Sequence, residues 1–164
     1  MQLPEAEALC ADLVRRLRPE TTPETGMVGI RTGGAWLAER LHRELGLALP
    51  LGTLDISFYR DDYRKSGLHK SVRASRIPFD VNGRHLLLVD DVLYTGRTVR
   101  AAMNELFDYG RPESIRLAAL VDRGERQLPI CAQFVGTSLA VPGGKMLRLD
   151  RDEADRLTLR LDDA

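Results

Sequence analysis

An apolar run that ends in two adjacent carboxylates constrains the fold of this chain more than any other feature. Residues 86–89 are Leu-Leu-Leu-Val, and Asp90 and Asp91 follow them directly. An unbroken apolar run of this length is typical of a strand buried on both faces of a parallel sheet. Residues 92–98 then carry hydroxyls, a glycine and an arginine, and a helical pattern begins at Val99. We therefore predict a strand, a short loop and a helix in that order.

This order suits a ligand that carries both a sugar and a phosphate. At the carboxyl end of a parallel strand, carboxylates accept hydrogen bonds from ribose hydroxyls, while loop amides and the start of the next helix bind a phosphate. Two neighbouring aspartates after a strand also occur in ordinary turns and helix caps. The complete run from strand to helix favours the ligand site, because a motif gains specificity from its context.

Strand-like and helix-like patterns alternate along the chain. Helical spacing of apolar residues covers residues 5–18, 35–45 and 99–109, and strand patterns cover residues 27–30, 53–58, 86–89 and 115–121. Shorter strand-like pieces follow at residues 134–135, 146–149 and 157–161. The alternation predicts an α/β protein with a central parallel sheet flanked by helices on both faces.

Three loops follow predicted strands and are therefore expected at one edge of the sheet, at residues 31–34, 90–98 and 122–125. Two glycines in the first loop let backbone amides approach an anion closely. Two anion sites on either side of a ribose suit phosphoribosyl pyrophosphate (PRPP), with its monophosphate at residues 95–98 and its pyrophosphate near residues 31–34. Mg²⁺ would bridge oxygens of the substrate, since it retains waters and rarely occupies an all-protein cage.

The composition argues against several other classes of protein. A length of 164 residues predicts one domain over residues 1–164. The 24 basic and 24 acidic residues cancel, so overall charge gives no support for nucleic-acid binding, and only a local basic patch stays open. No apolar stretch is long enough for a membrane span and the start does not resemble a signal peptide, which predicts a cytoplasmic protein without membrane contact. Cys10 and Cys131 lack metal-binding spacing, and we predict buried free thiols.

Residues 89–101, Val-Asp-Asp-Val-Leu-Tyr-Thr-Gly-Arg-Thr-Val-Arg-Ala, resemble the PRPP motif of type I phosphoribosyltransferases. More narrowly, the chain resembles the PyrR group, pyrimidine operon regulators that also act as uracil phosphoribosyltransferases. Further matches lie at residues 59–62, 110–112, 120–124 and 128–129. The resemblance covers about residues 28–149, which is most of the chain.

The resemblance implies a type I phosphoribosyltransferase fold with a mobile hood at about residues 59–77. It implies conversion of uracil and PRPP to UMP and pyrophosphate with substrate-bound Mg²⁺. It also implies regulation of pyrimidine biosynthesis genes in response to UMP or UTP, and assembly as a homodimer or a larger homo-oligomer.

The same resemblance assigns roles to individual residues. The catalytic residues would be Asp90, Asp91 and Arg31. PRPP or nucleotide would contact Thr32, Gly33, Gly34, Asp90, Asp91, Val92, Leu93, Tyr94, Thr95, Gly96, Arg97 and Thr98. The hood would contribute Tyr59, Arg60, Arg64 and Lys65. The base pocket would be formed by Val121, Asp122 and Arg123, mainly through backbone polar groups.

One departure from the family pattern lies in the loop at residues 31–34. The family has Thr-Arg-Gly where this chain has Thr32-Gly33-Gly34, so a cation that faces the departing pyrophosphate is missing. Arg31 or a hood arginine or lysine would have to replace it. Gly33→Arg is expected to raise the catalytic rate if that cation limits turnover. The departure leaves open an alternative, a nucleotide-binding regulator with weak or no catalysis.

A second departure concerns RNA, which family members bind through a basic face. At three positions where the family has histidine, arginine and lysine, this chain has Glu125, Cys131 and Thr137, and only Arg126 keeps its charge. Phosphate contacts dominate RNA affinity, so the loss of cations and the gain of a carboxylate predict weak binding at this surface. Arg126 is the single RNA-contact candidate there.

Overall fold

A five-stranded parallel sheet forms the centre of the molecule in the computed structural model, which describes residues 1–57 and 75–164. Its strands are β1 (Gly26–Ile30), β2 (Gly52–Leu54), β3 (His85–Leu93), β4 (Ser114–Asp122) and β5 (Phe134–Ser138). Their order across the sheet is β2-β1-β3-β4-β5, and every pairing is parallel. The predicted α/β class with a central parallel sheet is confirmed.

Helices cover both faces of this sheet. They are α1 (Ala6–Leu17), α2 (Gly33–Leu45) and α3 (Arg97–Asp108), with a short 3₁₀ turn at Arg18–Glu20. Alternate residues of β3 point to opposite faces, so Leu87 packs in one apolar cluster with α1 and α2 while Leu88 packs in another with α3. Strand β3 is therefore covered by helices on both faces of the sheet, as its unbroken apolar run predicts.

An antiparallel hairpin, β6 (Lys145–Arg151) and β7 (Leu157–Asp163), packs on the face covered by α1 and α2. Arg40 of α2 links α1 to the hairpin. Its Nη1 donates to Glu7 Oε2 and its Nη2 donates to the carbonyl of Asp155, both at 2.5 Å. Glu7 Oε1 also accepts the backbone N–H of Leu157 at 2.7 Å. The Arg40 guanidinium holds the pKa of the Glu7 carboxyl below its ordinary value.

Several predicted boundaries differ from the observed ones. The strand expected at residues 53–58 ends at Leu54, and Ile56 beyond it is buried without belonging to the strand. Strand β3 extends past residue 89 to Leu93, because β4 keeps pairing with it as far as Asp122. Helices α2 and α3 begin two residues earlier than predicted, since apolar spacing marks the buried stripe of a helix and not its first turn.

The two cysteines differ from the prediction that both are buried. Cys10 is buried in the apolar cluster beside α2, and burial raises the pKa of its thiol to about 12. Cys131 is free and exposed, which corrects the expectation for that residue. Among residues 1–57 and 75–164, no helix combines the length and apolar character that crossing a membrane requires.

Candidate functional site

The carboxyl ends of β1, β3 and β4 meet at one edge of the sheet. The loop after β1 lies against β3, because a Cβ added at Gly34 would lie 3.0 Å from the Cα of Asp90. The loop after β4 lies against the loop after β3, where the Arg123 guanidinium stacks 3.8 Å from the ring centre of Tyr94. The structure thus brings together the three loops that the sequence places at one cleft.

The two predicted catalytic carboxylates lie within β3 and not after it. Asp90 is almost completely buried, and its Oδ1 accepts the backbone N–H of Asp91 at 3.0 Å. Both carboxylates lie beside the first turn of α2, since a Cβ at Gly33 would overlap the Asp91 carboxylate and a Cβ at Gly34 would lie 3.1 Å from Asp90 Oδ1. The pair therefore presents carboxylate oxygens at the end of β3 beside the start of α2, where they can accept hydrogen bonds from ribose hydroxyls.

The residues that follow β3 form a turn, residues 94–98, that we call the phosphate loop. Thr95 is buried, and its hydroxyl accepts the N–H of Arg97 at 3.2 Å. Gly96 adopts φ of 92° immediately before α3, a conformation that favours glycine. Gly96, the N-cap residue of α3, has no side chain to cap the helix, and within the described residues Thr95 bonds only the first of its N–H groups. The first N–H groups of the helix therefore favour an anion at this position.

The loop after β1 leads directly into α2. The N–H of Arg31 donates to the carbonyl of Leu54 at 2.9 Å, and its Nη2 donates to Thr53 Oγ1 at 3.3 Å, so Arg31 lies along the β2 side. The peptide bond between Arg31 and Thr32 is cis. Gly33 and Gly34 form the first turn of α2, and the side chain of its N-cap residue, Thr32, makes no capping hydrogen bond. A second helix N-terminus therefore faces the same edge as the phosphate loop.

Gly33 packs directly against the Asp91 carboxylate. A Cβ at this position would lie 2.6 Å from Asp91 Cγ and closer still to Oδ2. Real Cβ atoms do not approach another atom this closely, so any side chain at Gly33 must move Asp91. The structure opposes the expectation that Gly33→Arg simply restores a missing cation, because the change also displaces a candidate catalytic carboxylate.

A cavity of about 190 Å³ opens beside β3 and the phosphate loop. Its walls are Asp90, Asp91, Val92, Leu93, Tyr94, Thr95, Gly96, Thr98, Val99, Arg123, Met146, Leu147 and Arg148. Of the three residues assigned to a base pocket, only Arg123 lines it. Val121 is fully buried in the sheet, and the Asp122 carboxylate pairs with Arg126 at 2.6 Å.

Strand β6 forms a part of the cavity wall that the sequence did not predict. Met146, Leu147 and Arg148 line the cavity, and Arg148 is held by an ion pair to Asp162 at 3.1 Å. The alternating pattern of residues 146–149 predicted a strand, but nothing in that pattern relates it to the loops after β3 and β4. Tertiary packing alone brings the hairpin to the site.

The Arg123 side chain is only 7% exposed, and Arg123 is one of the residues that line the cavity. Its guanidinium stacks on Tyr94 and pairs with Glu125 Oε2 at 3.2 Å. A buried cation held flat on an aromatic ring is a rigid donor, and cation–π contact strengthens as water is excluded. The side chain of Arg123, and not just its backbone, therefore faces the ligand space.

Other predicted residues lie at the edge of the site or outside the described part of the chain. Arg97 is exposed, and its Nε donates to Gln127 Oε1 at 2.9 Å. Thr32 is exposed beside the start of α2. The hood residues Tyr59, Arg60, Arg64 and Lys65 lie outside the described residues.

Comparison with known proteins agrees with this geometry. Residues 2–141 match the family model described as phosphoribosyl transferase domain. The chain is 49% identical over 153 residues to the bifunctional protein PyrR of Pseudomonas fluorescens strain Pf-5, covering 91% of each chain. It is 52% identical over 141 residues to the bifunctional protein PyrR of Pseudomonas aeruginosa strain PAO1, covering 86% of this chain and 83% of that protein.

The chain belongs to the PyrR family of phosphoribosyltransferases. The resemblance based on residues 89–101 is thus confirmed, and so is the type I phosphoribosyltransferase fold. The similarity covers the hairpin as well as the sheet, because another bifunctional protein PyrR from Pseudomonas fluorescens is 45% identical over 164 residues and covers 98% of this chain.

Solved structures share the fold of this PyrR family member at lower sequence identity. A hypoxanthine-guanine phosphoribosyltransferase from Bacillus anthracis superposes with a TM-score of 0.67 at 18% identity, covering 85% of this chain and 84% of that chain. A purine phosphoribosyltransferase from Pyrococcus horikoshii gives 0.64 at 23% identity, covering 84% and 85%. At these identities the similarity establishes the fold alone.

Proposed function

We propose that this PyrR family protein converts uracil and PRPP to UMP and pyrophosphate, and that it regulates pyrimidine biosynthesis genes by sensing UMP or UTP. The observation that carries the proposal is the placement of Asp90, Asp91 and the phosphate loop at one sheet edge, facing the uncapped start of α2. This placement provides ribose acceptors between two anion sites, as PRPP requires.

The site residues take distinct roles in this reaction. Asp90 and Asp91 accept hydrogen bonds from the ribose hydroxyls, and one carboxylate stabilises positive charge as the anomeric carbon becomes oxocarbenium-like. Thr95 and the N–H groups at the start of α3 bind the 5-phosphate. The start of α2, with Arg31 beside it, faces the pyrophosphate.

The bond changes follow from this arrangement. A uracil ring nitrogen forms the new bond to the anomeric carbon, the bond from that carbon to pyrophosphate breaks, and the electron pair leaves with pyrophosphate. The uracil nitrogen releases its proton to solvent water. Catalysis rests on positioning and on charge stabilisation, with no covalent intermediate on the protein.

Mg²⁺ fits the site as an ion carried by PRPP. Within the described residues no group of three or more histidine, cysteine or acidic side chains is arranged to hold a metal, whereas the partly exposed Asp91 can accept a hydrogen bond from a metal-bound water. When bound, Mg²⁺ would neutralise charge on the pyrophosphate oxygens.

The uracil ring would occupy the cavity between Asp90 and β6. Arg123 donates from one wall and Met146 packs against the ring from another, with Tyr94 closing the side toward the phosphate loop. An arginine donor suits a base edge that presents carbonyl oxygens. The phosphate loop then fixes the distance between base and ribose phosphate.

The test is turnover of radiolabelled uracil with PRPP and Mg²⁺, alongside orotate, hypoxanthine and xanthine. Formation of UMP from uracil, with slower or no turnover of the other bases, is the expected result. Absence of turnover with all four bases would refute the enzymatic part. Micromolar binding of UMP in calorimetry without turnover would instead support a nucleotide-binding regulator, which Gly33 in place of arginine favours.

A further inference from the structure

Residues 122–130 begin at the last residue of β4 and pack against the phosphate loop. We call this segment the support loop. The N–H groups of Gln127 and Leu128 both donate to the carbonyl of Thr95, at 2.9 and 3.1 Å. Ile130 lies against Gly96, where an added Cβ would be 3.0 Å from its Cγ1. The backbone of the phosphate loop is therefore held from behind by another part of the chain.

Arg126 is a second link between the two loops, made by a side chain. Its Nη1 donates to the carbonyl of Tyr94 at 2.7 Å, and its Nε donates to the carbonyl of Ile130 at 2.9 Å. Its Nη2 donates to Asp122 Oδ2 at 2.6 Å. Each guanidinium nitrogen thus has its own acceptor. Two of the acceptors, Asp122 and Ile130, belong to the support loop, and the third, Tyr94, belongs to the phosphate loop.

The Asp122 carboxylate orients this guanidinium. Arg126 holds the pKa of Asp122 below its ordinary value through their hydrogen bond, and the N–H of Gly124 also donates to Asp122 Oδ1 at 2.9 Å. The Arg126 side chain is only 24% exposed. A planar guanidinium with three fixed acceptors is rigid, whereas lysine offers one point charge and would lose this geometry.

This bonding leaves little of Arg126 for an external phosphate. Three of its five N–H groups already donate to these acceptors, so an RNA phosphate could bind only the remaining two, on a side chain that is only 24% exposed. The neighbouring Glu125 is 58% exposed and adds negative charge at the same surface. The surroundings of Arg126 therefore favour a role inside the site over a role in nucleic-acid binding.

We propose that Arg126 is a positioning residue that sets the geometry of the phosphate loop, and that in this chain it does not serve as an RNA contact. The proposal rests on the proposed function, since it assigns the 5-phosphate of PRPP to that loop. Arg126 acts by fixing the Tyr94 carbonyl, and thereby the Thr95 hydroxyl and the first N–H groups of α3, before the ligand arrives.

The test compares Arg126→Ala and Arg126→Lys with Arg100→Ala, a control on the exposed side of α3. Within the described residues the Arg100 side chain makes no ion pair or side-chain hydrogen bond. Calorimetry with PRPP and Mg²⁺ gives Kd, and steady-state assays separate KM for PRPP from KM for uracil. Ethylguanidinium and ethylammonium are added to Arg126→Ala at equal ionic strength.

Both Arg126 variants are expected to weaken PRPP binding by about 100-fold, because misplacement of a positioning element by about 1 Å has effects of that size. KM for uracil and the affinity of Arg100→Ala stay unchanged. Ethylguanidinium restores binding by Arg126→Ala and ethylammonium does not. A folded Arg126→Lys protein with the PRPP affinity of the wild type would overturn the proposal.

Two further outcomes are decisive. A gel shift in which Arg126→Ala weakens binding of the operon leader RNA while PRPP affinity stays at the wild-type value would assign Arg126 to RNA and overturn the proposal. Loss of stability without rescue by ethylguanidinium, and with equal changes in both KM values, would mean a merely structural role. Failure of the wild-type protein to bind PRPP at all would instead refute the proposed function.

Discussion

The contact between Gly33 and Asp91 gives the sharpest prediction about catalysis. Gly33→Ala places a methyl carbon 2.6 Å from Asp91 Cγ, so the carboxylate must rotate away from its position beside α2. A hydrogen bond to a charged group contributes about 1.5–3 kcal/mol. If Asp91 binds the ribose, its rotation should weaken PRPP binding by about 10- to 100-fold.

Gly33→Arg creates the same steric conflict with the Asp91 carboxylate and also adds a cation. Removal of one stabilising donor from an active site costs about 3 kcal/mol in the transition state, so an added cation has at most a similar benefit. The gain and the loss are of comparable size. We therefore expect Gly33→Arg to show no rate increase over the wild type, and weaker PRPP binding.

The assay is calorimetry with PRPP and Mg²⁺, followed by kcat and KM with uracil. Gly143→Ala is the matched control, because a Cβ there meets no atom within 4 Å. Urea unfolding checks that each variant is folded. We expect no loss of stability in Gly33→Ala, because alanine favours a helix more than glycine does. Unchanged PRPP affinity in Gly33→Ala, or a rate gain in Gly33→Arg, would refute the coupling between residues 33 and 91.

Two further predictions concern stability and the base pocket. Glu7→Gln should lower the free energy of unfolding by about 1–3 kcal/mol at pH 7, because it removes the negative charge that pairs with Arg40 and one of the two oxygens that accept from Arg40 and Leu157. The lowered pKa of Glu7 in the folded state means that this stabilisation is complete above the unfolded pKa of about 4.3, and disappears as pH falls through the folded value. Met146→Ala should raise KM for uracil by about 5- to 30-fold, the equivalent of about 1–2 kcal/mol of lost apolar contact, and leave PRPP affinity unchanged.

The predictions for Glu7→Gln and Met146→Ala each have a measurement that serves as a control. In urea unfolding, the difference between wild type and Glu7→Gln should be smaller at pH 3 than at pH 7, and the exposed Glu153→Gln should show none at either pH. An equal difference at both pH values would contradict the linkage to Glu7. Equal losses of uracil and PRPP affinity in Met146→Ala would mean that β6 does not contact the base.

The sheet and its cleft were predictable because local patterns encode them directly. Apolar runs at residues 86–89 and 115–121 identify strands that are buried on both faces, and helical spacing identifies what covers them. Parallel topology then places the loops that follow β1, β3 and β4 at one edge. These inferences need no knowledge of contacts between distant residues.

The details that failed depend on contacts between distant residues. Whether Asp91 lies in β3 or beyond it depends on how far β4 keeps pairing, which the Asp-Asp pair does not reveal. The sequence also did not predict that the Asp122 carboxylate pairs with Arg126, and the assignment of Asp122 to the base pocket stays a prediction. The steric conflict at Gly33 likewise involves a residue far along the chain, so a comparison of one position with a family pattern missed it.

The central claim is that Asp91 and Thr95 bind the ribose and phosphate of a single ligand. Its most direct test is the Kd of PRPP with Mg²⁺ for the wild type, Asp91→Ala and Thr95→Ala, with Asp108→Asn at the exposed far end of α3 as control. Each site variant should bind at least about tenfold more weakly, since each loses a hydrogen bond to a charged group, and the control should bind as the wild type does. Wild-type affinity in both Asp91→Ala and Thr95→Ala would contradict the account.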